Sequence, residues 1–338
     1  MRFRSFRSLS RLAPSLATGL LAGWLTPALA AAQAAPNPVE KIENLVTFGM
    51  QAPASSGDDN HTQTFFFLIP DTERRPVYIR IFDPDCGGEL DARVGVFDTR
   101  TEFSLYGGPG THSAPGATDP RPGLPAPAEP GGRLMQRQVF GVDPRYDGGF
   151  YNFGPLNPLE GELVEQFGGR VFKVVVRGLS GNDGNLYRFF LSSSPGLSVP
   201  LPGGNIFTYK YCFRVPAGPP SGRPVTLHLY PFANERVLSI KQSNFDLDQT
   251  VRLTVFSIAK NGHAATASGN GTWASSILPI VASEHGRSLD IRLVSRSPIF
   301  NDVAFYVTDQ YDKALPFFAI PLGGIPKYRY DIDVKIHR

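Results

Sequence analysis

Glycine and proline set the first limit on this chain. Its 338 residues carry 35 Gly and 31 Pro, dispersed along the length. Inside a helix each Gly costs about 1 kcal/mol and each Pro about 3 kcal/mol relative to Ala, so long helices are disfavoured throughout. Between these breakers lie short runs of β-branched and aromatic residues: Thr64 to Ile69, Val77 to Phe82, Val171 to Val176, Leu186 to Leu191, Val225 to Leu229, Val251 to Phe256, Ser288 to Val294 and Val303 to Val307. Each run is bounded by Gly, Pro, Asn or Asp, the pattern of an all-β protein with many short strands. Only 157–167 has any helical flavour.

The two halves match in order. Phe67-Leu68-Ile69-Pro70 parallels Phe213-Arg214-Val215-Pro216, and Arg75 to Phe82 parallels Arg223 to Tyr230. Ala92 to Phe97 parallels Val251 to Phe256, and Asn182-Asp183 before one strand parallels Asn301-Asp302 before another. The expectation is two tandem jelly-roll-like β-sandwich domains, 46–197 and 206–338, joined by a linker at 198–205 rich in Pro and Gly. The first copy carries an insertion at about 106–166; its part 107–132 reads as a mobile Pro/Gly/Ala loop, and its aromatic part as a flap over the sandwich edge.

Residues 1–30 read as a cleaved signal peptide, followed by a linker over 31–45. Arg2, Arg4, Arg7 and Arg11 precede an apolar stretch from Leu12 to Leu29 that ends in Ala28-Leu29-Ala30, with Ala32-Gln33-Ala34 as a second cleavage site. Two prolines and its short length argue against a transmembrane anchor. Whole-chain charge is +3, from 33 Lys+Arg against 30 Asp+Glu; removing four Arg and no acid leaves 29 against 30, or −1. A basic surface for nucleic acid therefore has no support. The expected location is periplasmic or extracellular.

The first copy resembles the bacterial pre-peptidase C-terminal domain, a small jelly-roll-like β-sandwich. The resemblance rests on Phe67-Leu68-Ile69-Pro70, the Val77 to Phe82 strand, Val174-Val175-Val176-Arg177-Gly178 and the block Gly181 to Ser192; it runs over 64–192 apart from the insertion and extends to 206–309. It implies a noncatalytic module of a kind that binds carbohydrate, collagen-like protein or calcium. Such modules are appended to enzymes; here they are expected to make up the whole mature protein.

Three groups of residues are candidate sites. Asp83, Asp85, Glu89 and Asp91 share one glycine-bearing loop, and Asn182, Asp183 and Asn185 lie in a loop that could face it. Together they offer the oxygens that calcium takes in sets of six to eight; the alternative is that Asp and Gly stand there for turn conformation alone. Asp143, Tyr146, Asp147, Tyr151 and Asn152 offer the aromatic and planar polar groups that grip a sugar, or else serve packing. Cys86 and Cys212 form either one disulfide or two buried thiols. No catalytic motif is present: the six histidines are scattered, and Gly178-Leu179-Ser180-Gly181-Asn182 lacks the last glycine of a nucleophile elbow. The expected function is an exported, noncatalytic protein binding an extracellular or envelope glycan or protein. An envelope assembly component and an unrecognised secreted hydrolase are the alternatives.

Overall fold

The computed structural model describes residues 34–35, 44–58, 60–119, 131–216, 224–247, 251–295 and 302–328. The signal segment and most of the linker before Leu45 lie outside them. The described chain is all-β and antiparallel.

Sixteen strands carry the architecture. The first eight are β1 (Asn44–Phe48), β2 (Thr62–Pro70), β3 (Val77–Phe82), β4 (Arg100–Gly107), β5 (Arg133–Phe140), β6 (Phe150–Leu156), β7 (Gly169–Ser180) and β8 (Gly184–Ser192). The second eight are β9 (Lys210–Arg214), β10 (Val225–Leu229), β11 (Ser239–Phe245), β12 (Val251–Phe256), β13 (Asn261–Ala265), β14 (Trp273–Pro279), β15 (Asp290–Ser295) and β16 (Asp302–Asp309). In the first set the sheets run β1-β8-β3-β6 and β2-β7-β4-β5. In the second they run β9-β16-β11-β14 and β10-β15-β12-β13. Both are the order 1-8-3-6 facing 2-7-4-5, the strand order of an eight-stranded jelly roll. The order repeats strand for strand.

The register of the repeat differs from that of the sequence match. Val77–Phe82 is the third strand of its roll, whereas Val225–Leu229 is the second of its own. Ala92 to Phe97 is no strand: Val94 and Val96 are exposed, and the partner of β12 by position is β4. The β8 and β16 match holds. The insertion is no flap, because β5 and β6 lie within it and form the outer strands of the two sheets. Residues 157–167 are two 3-10 turns around a short strand, Glu162–Val164.

The rolls are not beads on a linker. β1 pairs with β8 on one side and with β9 on the other, through Phe213↔Leu45 and Arg214↔Asn44, so one sheet crosses both rolls. Asn205–Thr208 pairs with β2, and Leu201 in the expected linker is fully buried. After Thr208 the chain turns at Tyr209 and enters the other sheet as β9.

Between the sheets of the first roll, Phe65, Phe103, Tyr187 and Phe189 pack together, with Phe65–Phe189 tilted at 5.1 Å and Phe103–Tyr187 edge to face at 5.2 Å. The second roll fills its interior with Leu227, Ile240, Val255, Ile291, Phe305 and Val307, and both belong to one continuous core. Each such side chain contributes about 1.5–3 kcal/mol on burial.

Gln63 of β2 spans the seam. Its amide nitrogen donates to the Val46 carbonyl, and its Oε1 accepts from the Cys212 N–H at 3.0 Å. The Thr47 and Tyr187 hydroxyls complete the network at 3.3 Å each. Gln63→Leu keeps the volume and orphans a buried N–H and C=O. It is expected to lower stability by roughly 2–4 kcal/mol, read from urea unfolding as a single transition.

Candidate functional site

The predicted calcium loop follows β3 and is tied down by its own carboxylates. Asp83 stands in the left-handed region (φ 57°), and its Oδ1 accepts from Gly148 N–H at 2.8 Å. Asp85 Oδ2 accepts from Asp143 N–H at 3.0 Å. Asp91 holds Gly87 N–H with one oxygen and Leu186 N–H with the other, both at 2.6 Å. Asp183 takes Val94, Asp98 and Thr99 N–H groups at 2.7, 3.0 and 3.2 Å. Glu89 points to solvent.

The five predicted residues therefore do not form a cage. Asp91 and Asp183 spend both oxygens on backbone amides, which favours turn closure over metal binding. Among the described residues no three His, Cys, Asp or Glu side chains are grouped to hold a metal. Burial pushes the Asp83 carboxyl up to about 6, helped by the charges of Asp85 and Asp147, and pushes Asp91 up to about 8. Asp85 shifts upward for the same reason.

The predicted sugar face is also dismantled. Tyr146 and Tyr151 pack edge-on against Phe140 at 5.1 and 5.3 Å, on the rim of the core. Asp143 is bound by Arg145 through two bonds of 2.9 and 2.6 Å, which lower its pKa. Asn152 is engaged by Arg80 at 3.1 Å and by the Pro195 carbonyl at 2.9 Å. Asp147 is exposed beside Gly88. Trp273 lies against Phe245 and Tyr306 at 5.2 and 5.3 Å, so it too is packing.

Cys86 and Cys212 are free, buried thiols; the disulfide alternative falls. Cys86 sits in the β3–β4 loop, whereas Cys212 packs with Val46, Leu186 and Ala304 at the seam. Burial raises both thiol pKa values, so neither is a ready thiolate.

A site that the sequence reading missed lies where the two rolls meet. The loop after β4 brings His112, Ser113, Thr118 and Asp119; the turn after β16 brings Tyr311, Asp312 and Lys313; Tyr209 forms the floor of a cleft of about 520 Å³. Two anchors build it. Glu162 receives the N–H groups of His112 and Ser113, and Asp309 receives those of Tyr311 and Lys313 at 2.8 and 2.9 Å. His112 Nε2 and the Tyr209 hydroxyl are 2.7 Å apart, and the imidazole packs against Phe66, Phe167 and Phe207. Tyr311 is 72% exposed, an open ring beside hydroxyls, carboxylates and an ammonium. No spacing in the sequence joins 112, 209 and 311; only the seam does.

A Ser–Lys–Glu group in the second roll offers no nucleophile. Lys260 Nζ is bound to both oxygens of buried Glu284 at 2.7 and 2.6 Å and so is committed to the carboxylate. The Ser257 hydroxyl itself lies against Glu284.

Burial lowers the His112 pKa below its ordinary value of 6.5, with nearby Lys173 adding and Glu162 opposing. The unfolded imidazole then takes up a proton more readily than the folded one. The contribution is present above the ordinary value and lost as pH falls through the lowered one. His112→Phe keeps a ring there and removes the titration. Between about pH 7 and about pH 5 the wild type should lose stability relative to this variant, measured as the difference in urea midpoints. Equal losses would show that His112 stays neutral or titrates alike in both states. The raised carboxylates act in the opposite direction in both proteins and cancel in that difference.

Comparison with known proteins adds no family. No protein-family description matches the chain, and no curated protein does. Two solved structures, of the infectious bursal disease virus Gx and Gt strains, are similar at 12% and 11% identity, each covering 84% of this chain and 71% of the other. Their TM-scores of 0.15 and 0.13 carry no argument about fold or function.

Proposed function

We propose that the chain is an exported, noncatalytic binding protein that takes a hydroxyl-rich extracellular or envelope glycan in the cleft between the rolls. The observation that carries this reading is the cleft's lining: an exposed tyrosine ring among Ser113, Thr118, Asp119, Asp312 and Lys313. Sugars present apolar C–H faces and dense hydroxyls, and a flat ring with mixed donors and acceptors matches both. Export rests on the Arg-rich start, the apolar stretch and Ala28-Leu29-Ala30. Among the described residues no helix is long and apolar enough to cross a membrane.

Retention of the purified protein on cell-wall and capsular polysaccharides tests the reading. Tyr311→Ala, which removes an exposed ring, should weaken retention about tenfold with an unchanged unfolding midpoint. Retention indifferent to this change would remove the cleft from consideration. Amino-terminal sequencing of the exported chain should begin just after Ala30 or Ala34.

An assembly role is favoured by one other feature. β14 is the outer strand of the wide sheet and exposes Ile277. Outer strands with free backbone groups pair with other chains. Oligomers in sedimentation, dissolved by Ile277→Lys, are the result that would favour it over glycan binding.

A further inference from the structure

The loop end of the first roll holds three oxygens for which the protein supplies no hydrogen bond: Asp83 Oδ2, Asp85 Oδ1 and Asn185 Oδ1. Asp83 and Asn185 are 0% exposed and Asp85 1%. Each unsatisfied buried acceptor costs about 1–3 kcal/mol, so three together need a physical cause. All are acceptors, and two are carboxylates.

Their placement is fixed from three elements. Asp83 and Asp85 flank Pro84 at the end of β3. Asn185, on β8, donates its amide N–H to the Pro84 carbonyl at 2.9 Å, which seats the amide against the residue between the two acids. The partner oxygens of Asp83 and Asp85 are bound to Gly148 and Asp143 N–H groups in the β5–β6 loop. The exposed Asp147 carboxylate lies over Gly88 so closely that a Cβ there would meet its oxygens at 2.2 and 2.5 Å. Glycine leaves that place open, at φ +71°. Carboxylates from two loops thus lie close to one another, with Asp147 at the exposed side.

We propose that Asp83 Oδ2, Asp85 Oδ1 and Asn185 Oδ1 bind a calcium ion, with Asp147 swinging inward as a fourth oxygen ligand and water completing the shell. An all-oxygen set with two or three carboxylates suits a hard cation, and calcium tolerates the irregular geometry that loops provide better than magnesium does. Asp83 and Asp85 supply two carboxylates and Asn185 an amide oxygen; Asp147 joins only by moving, so no three carboxylates are grouped as they stand. Bound there, the ion cross-links the β3–β4 loop, the β5–β6 loop and β8. The site is remote in sequence from the cleft residues and independent of the glycan reading.

The test uses the full mature chain, stripped with EDTA and titrated with CaCl2 or MgCl2 in an isothermal calorimeter, alongside thermal unfolding. Calcium should bind once per chain and raise the unfolding midpoint by several degrees at saturation, with magnesium at least tenfold weaker. Asp83→Asn keeps the acceptor for Gly148 and relieves charge. It should weaken calcium binding at least tenfold while leaving the EDTA-treated protein as stable as wild type or more so; a merely structural aspartate would lose stability instead. No heat of binding up to millimolar calcium, with identical midpoints in calcium and EDTA, would overturn the proposal and assign these carboxylates to protons. A calcium response that survives both Asp83→Asn and Asn185→Leu would overturn it as well, by placing the ion elsewhere.

Discussion

Everything in this molecule hangs on the pairing of two first strands. In a jelly roll the first strand lies beside the eighth and would otherwise be the open edge of its sheet. Here β1 and β9 close each other's edge, and the cost of an exposed row of amides is avoided in both rolls at once. The ladder between them is short, because β9 meets β1 only at Phe213 and Arg214. Gln63 fills the gap from the opposite sheet, replacing the missing backbone partners with one side-chain amide. A buried polar residue at that position is costly unless every hydrogen bond is made, and here they are.

The aspartates show a second economy. Long connections between strands need their backbone amides satisfied, and in this protein carboxylates do that work. Asp183 gathers three amides of the 91–99 loop, Asp91 ties that loop to β8, and Asp309 and Glu162 shape the two walls of the cleft. A chain with many acids in turns thus has few of them free for ligands. Asp83 and Asp85, like Asp58, each keep one buried oxygen that no protein group engages.

Much of the fold was legible because a half-buried strand needs alternation. Val77–Phe82, Val225–Leu229 and Val251–Phe256 are read to the residue. Three of the strands that escaped are polar for identifiable reasons. β5 and β14 lie at sheet edges and expose much of their length. β11 is central but buries Gln242, Ser243 and Asn244, and Asn244 is held by the Thr266 carbonyl and the Ser268 amide at 2.9 and 2.7 Å. The duplication was visible, though two of its four matched blocks paired strands that differ by one place. Apolar runs ending in proline recur on neighbouring strands, so similarity alone does not count them. Val94 to Phe97 alternates like a strand, yet Asp183 binds the amide at its start and those of Asp98 and Thr99 just after it. Of the sites, the acid loop was read as a calcium cage, whereas Asp91 and Asp183 spend both of their oxygens on backbone amides. The cleft was invisible because its residues lie far apart in the chain, and the aromatic cluster at 140–153 was mistaken for a surface because packing and binding use the same rings.

The strand that joins the rolls also sets a timetable for synthesis. β1 is made first, but its neighbours β8 and β9 begin only at Gly184 and Lys210. Until some 140 residues more have emerged, that segment has no partner on either side, and the early part of the chain cannot complete a sheet. Long-range pairing of this kind is slow and leaves sticky edges exposed to other nascent chains. A protein built this way gains from being held extended until its last strand is available. Escort by a holding chaperone, with folding delayed to the end of the chain, is the regime to which this topology is suited.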